Sequence, residues 1–94
     1  MTETTLALHP DPGKQPTRID QQKYQTVRDA ILAILSDLGE ATFTELADEL
    51  KRRIGATFDG STTWYCTTVK LDLEARGLIE RIPGSSPQIL RLSP

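Results

Sequence analysis

Apolar residues recur at helical spacing three times along this chain, and after the third recurrence the pattern stops at Gly77 and gives way to two short runs of branched apolar residues. Tyr24, Val27, Ile31, Ile34 and Leu38 make the first stripe, which Gly39 closes. Asp20 is placed to cap it, with Ile19 and Tyr24 available as a hydrophobic staple. Phe43, Leu46, Ala47, Leu50 and Ile54 make the second stripe. Its start falls at Thr44 by position, or at Thr42, where Glu45 completes a capping-box pattern. Ala41-Thr42-Phe43 reads as a short edge strand, and residues 55–60 as a loop that Phe58 anchors to the core. Asp59 or Ser61 caps the third helix. The expected helices span 20–38, 44–54 and 61–76.

Gly77 takes the left-handed conformation that ends a helix without a Cβ clash, and Arg76 suits the negative end of the helix dipole. Residues 78–82 and 88–92 then read as two strands around Pro83-Gly84-Ser85-Ser86-Pro87, a hairpin with a five-residue loop. The third helix carries two apolar stripes. Tyr65, or Cys66, runs with Val69 and Leu73 on one side. Trp64, Thr68, Leu71 and Ala75 lie nearly opposite, so that second stripe meets either another part of the chain or another molecule. Before all this, His9, Pro10, Asp11, Pro12, Gly13, Lys14 and Pro16 break any regular element. Residues 1–19 are therefore read as a flexible N-terminal tail and residues 20–94 as a single domain.

The 94 residues, 37% hydrophobic and 5% aromatic, suffice for one modest core. No apolar run is long enough to span a membrane, and no secretory pattern opens the chain, which points to a soluble cytoplasmic protein. Cys66 has no second cysteine to pair with, and His9 is the only histidine. Neither has the partners a metal site or a nucleophile needs, and no carboxylate pair or phosphate loop stands out, so neither enzyme activity nor a cofactor is expected. Charge is uneven. The chain has 11 Lys and Arg against 13 Asp and Glu, with residues 20–50 at net minus five and residues 51–94 at net plus three. The run Lys51-Arg52-Arg53 either clamps phosphates or is a solvated helix end favourable to the dipole.

The order helix, short strand, helix, helix, hairpin, with Leu73-Glu74-Ala75-Arg76-Gly77-Leu78-Ile79-Glu80-Arg81 at the handover, resembles the winged helix-turn-helix domains of bacterial transcription regulators over roughly Asp20 to Leu92. More narrowly, Trp64-Tyr65 and the run from Thr67 to Gly77 resemble small stand-alone bacterial winged-helix proteins of uncharacterised function. The resemblance implies a mainly α fold with a small β-hairpin wing, a third helix in the major groove of double-stranded DNA, and a wing on the backbone or minor groove. It assigns Ser61, Thr63, Thr67 and Lys70 to the groove or its phosphates, with Arg81 and Arg91 flanking the wing. The chain departs from that pattern at Lys70, where such regulators carry a buried apolar residue. The expected function is DNA binding in transcription regulation as a homodimer, with Leu32, Leu35, Trp64 and Leu71 as candidate interface residues. The alternative is a winged-helix interaction module that does not bind DNA.

Overall fold

A computed structural model describes residues 3–94 and shows three helices and two small antiparallel sheets. The first sheet is a hairpin of β1 (Thr4–Ala7) and β2 (Thr17–Asp20), in register Thr4 to Asp20 and Ala7 to Thr17. This departs from the expected tail. Pro10, Pro12 and Pro16 are confined to the connecting loop, where they cost no ladder hydrogen bond, while Thr, Leu and Ile occupy the strands. Within the loop Asp11 folds the chain back, accepting from Gly13 N–H through its side chain (2.9 Å) and from Lys14 N–H through its carbonyl (3.0 Å). Ala7 and Ile19 are buried with the main core, so the boundary expected at residue 19 runs through a packed element. Residues 1 and 2, also placed in the tail, lie outside the described residues.

Helix α1 (Gln21–Leu38) begins where β2 ends, with the Asp20 side chain accepting from Lys23 N–H at 2.8 Å. It buries Tyr24, Val27, Ile31, Ile34 and Leu35. Two positions differ from the sequence reading: Leu35, expected at an interface, is inside, and Leu38, expected inside, is 51% exposed. Leu35 lies one turn beyond Ile31 on the same stripe, whereas Leu38 is the last residue of the helix, where the chain turns away at Gly39. Leu32, the other interface candidate on this helix, is half-buried against the core.

Strand β3 (Glu40–Thr42) leads into α2 (Phe43–Ile54) through a complete capping box. Thr42 Oγ1 accepts from Glu45 N–H (3.1 Å), while Glu45 accepts from Thr42 N–H (2.9 Å). Helix α3 (Thr62–Ala75) is capped by Ser61 and closes at Gly77, which has φ 76°. There Leu78 N–H returns to Leu73 C=O (2.9 Å) and Gly77 N–H to Glu74 C=O (3.1 Å), satisfying two orphan carbonyls. Strands β4 (Ile79–Arg81) and β5 (Ile89–Leu92) form the expected hairpin, and β3 joins the other edge of β5 to give the order β3-β5-β4. The core of Val27, Ile31, Ile34, Leu46, Leu50, Val69, Leu73 and Leu90 sits among the helices and this sheet. Each such side chain, fully buried, contributes roughly 1.5–3 kcal/mol from apolar transfer.

Candidate interaction surface

Helix α3 is turned so that its charges point inward or sideways and its uncharged residues point out. Cys66, Val69, Lys70, Asp72 and Leu73 are buried, while Thr63, Trp64, Thr67 and Ala75 are exposed and Thr68 and Leu71 half-buried. Lys70 thus occupies the inward position that the sequence comparison flagged. It is 7% exposed, with Nζ 3.5 Å from Glu74 and 5.8 Å from the centre of the Phe43 ring. Burial holds its ammonium below the ordinary lysine range, which Glu74 opposes. Lys70 is therefore not displayed for a DNA phosphate.

Most of the other cations expected to contact DNA are matched with carboxylates. Arg81, on β4, donates to both oxygens of Glu74 at 2.6 and 3.1 Å, so Lys70 and Arg81 converge on one acid. Arg91 pairs with Glu80 across the hairpin at 3.0 Å. On α2, Arg52 and Arg53 converge on Glu49, and Arg53 reaches Asp37 of α1 at 2.9 Å. Hydrogen bonds from Arg52 and then Arg53 pull the Glu49 carboxyl down to about 2. Among the described residues Lys51 has no carboxylate within ion-pair reach. Ser61 Oγ is occupied as the α3 cap, accepting from Trp64 N–H at 3.1 Å, and Thr67 Oγ1 donates to Thr63 C=O at 3.1 Å. Arg52 and Arg53 of α2 and Arg81 and Arg91 of the hairpin β4–β5 thus belong to separate ion-pair groups rather than one free basic surface.

Trp64 is 47% exposed. It stands edge-on to Tyr65 (ring centres 4.9 Å apart, planes at 78°), and Tyr65 stands edge-on to Phe58 (5.1 Å, 76°). Lys23 lies over the Tyr65 and Phe58 rings at 5.9 and 6.0 Å. Phe58 does anchor the α2–α3 loop to the core, and Tyr65 packs with it. From this aromatic end the outward stripe Trp64, Thr68, Leu71, Ala75 continues to the end of α3 without a charged residue.

A third charge group escaped the sequence reading. Asp72 is wholly buried and accepts from Leu8 N–H (2.8 Å), the Tyr24 hydroxyl and Arg76 Nε (2.9 Å), while Arg76 also donates to Leu6 C=O at 3.2 Å. It ties β1 to α1 and α3. Burial first, then the bond to Asp72, raises the Tyr24 phenol to about 12. Cys66 is also wholly buried, and burial pushes its thiol up to about 12, which suits a packing residue rather than a nucleophile. The spacing of Lys70 to Glu74 and of Asp72 to Arg76 is the one sequence signal that could have exposed these pairs. Among the described residues no group of His, Cys, Asp and Glu is arranged to hold a metal ion, and no helix is long and apolar enough to cross a membrane.

Residues 4–90 match the model described as "Family of unknown function (DUF6958)", and the chain belongs to that family. No curated protein and no solved structure matches it.

Proposed function

We propose that this member of a family of unknown function is a winged-helix interaction module that docks on a protein through the outward face of α3. The winged-helix reading is supported by three helices followed by a hairpin whose strand β5 is flanked by β3 and β4. One observation carries the choice of partner: α3 keeps Lys70, Asp72 and Glu74 buried or paired and presents Trp64, Thr68, Leu71 and Ala75 outward. A helix entering a groove meets phosphates at its rims and gains most of its affinity from cations there. This helix offers none on its outward stripe. An uncharged face with an exposed tryptophan instead matches the composition of protein interface cores, where charge is depleted and aromatics are enriched.

The reading is tested by titrating labelled duplex fragments of mixed sequence at low salt while following the emission of Trp64, the single tryptophan. The expected result is no change in anisotropy, and the same emission with and without DNA at each protein concentration, up to about 100 μM protein, the weak end of non-specific DNA affinities. Binding that weakens with salt and with Lys51→Glu would overturn it. The second reading, DNA binding in transcription regulation, keeps one favourable observation: Thr63 and Thr67 are exposed at the start of α3, where hydroxyls meet phosphates or base edges.

A further inference from the structure

We infer that the occupant of the α3 face is a second copy of this chain, packed antiparallel about a two-fold axis near the middle of α3. The inference rests on the reading of that face as a protein-docking surface. The outward stripe is large, small, large, small: Trp64, Thr68, Leu71, Ala75. Reversed upon itself it is complementary in size, because antiparallel alignment sets each Trp64 over the other copy's Ala75 and each Thr68 over the other copy's Leu71. Parallel alignment would set tryptophan on tryptophan and alanine on alanine, crowding one end and leaving a void at the other. Charge agrees with size. The charged side chains of α3 and its C-cap are satisfied within the subunit, so apposing two copies of the stripe desolvates no charge. Antiparallel packing also places each helix N-terminus beside the other copy's C-terminus, which suits the two dipoles.

A two-fold contact of this kind is isologous and closes after two subunits. From Trp64 to Ala75 the stripe is only about 16 Å long. It is smaller than the ~800 Å² per side of a standard interface, so the pairing is weak and concentration-dependent.

The test is sedimentation equilibrium of the full chain from about 10 μM to about 1 mM, the range of weak contacts. The expected mass rises from monomer to dimer while Trp64 emission shifts to the blue in step. Leu71→Glu should weaken association at least tenfold with an unchanged circular-dichroism spectrum. Register is read by cross-linking with a short bis-maleimide. Thr68→Cys should couple two copies efficiently and Thr63→Cys should not, because antiparallel pairing separates the two Thr63 positions by about 20 Å. The buried Cys66 provides no competing thiol. A monomer at every concentration would overturn the inference, as would a dimer indifferent to Leu71→Glu or one in which both cysteine variants cross-link alike. A monomer leaves the docking reading standing for another protein partner, whereas a Trp64 response to duplex DNA removes that reading itself.

Discussion

Tyr24 shows how one buried polar side chain makes the stability of the fold depend on pH. Its hydroxyl lies in the core and donates to Asp72, and burial raises the phenol from 10.0 to about 12. The folded state therefore keeps a proton that the unfolded chain releases from pH 10 upward. The stabilisation is complete below pH 10 and is lost as pH rises from 10 to about 12. Tyr24→Phe should remove this part of the alkaline decline, leaving the part that the buried Cys66 thiol, raised from 9.0 to about 12, contributes from pH 9 upward. At neutral pH it should cost about 1.5–3 kcal/mol for the lost bond to a charged acceptor. Urea midpoints across the alkaline range check this. Equal alkaline losses in the two proteins would show that Tyr24 adds nothing to the limb.

Between α3 and the hairpin β4–β5, Glu74 plays the corresponding part for whole elements. Lys70 comes to it from one turn back on α3, and Arg81 from β4. Removing the acid leaves a buried ammonium without its counter-charge, and Glu74→Gln should cost about 3 kcal/mol. Lys70→Met should stay within about 1 kcal/mol of the parent, because Arg81 still satisfies Glu74 and the desolvated charge is gone. Thermal melts of the two variants distinguish them, and a larger loss for Lys70→Met would refute the account. The same pair marks the limit of the sequence. The cap at Asp20 and the stop at Gly77 were legible because each depends on residues within a turn of itself, whereas the same local signals only narrowed the other caps to Thr44 or Thr42 and to Asp59 or Ser61, of which Thr42 and Ser61 are the caps. The hairpin β4–β5 was legible for the same reason. Lys70 was not, since its burial is decided by the hairpin β4–β5 and by Phe43, both distant in sequence. Nor was the separation of the cations into paired groups, because Glu74, Glu80 and Asp37 reach them only after the elements have packed.

At the scale of the whole molecule, the hairpin β1–β2 is what the chain has beyond three helices and the β3-β5-β4 sheet. Its prolines and polar residues suggested a tail, but its attachment is tertiary: Asp72 accepts from Leu8 N–H across 64 positions of sequence, and Ala7 and Ile19 fill the core. A two-stranded hairpin has little stability alone, so this one is ordered because the body supplies the missing contacts. The body depends on the hairpin in turn. Without residues 1–19, Asp72 loses the Leu8 N–H donor and α1 loses the apolar cover of Ile19, while the Asp20 cap is kept. A chain starting at residue 20 should be less stable by about 3 kcal/mol, the sum expected for one buried aliphatic and one hydrogen bond to a charged group. For a domain of this size that corresponds to a melting temperature lower by roughly 12–24 °C. Amide exchange of the intact chain gives the complementary reading, with Leu8 N–H protected nearly as well as the centre of α1. A truncated protein melting within a few degrees of the parent, or rapid exchange at Leu8, would return residues 4–19 to the status of a tail.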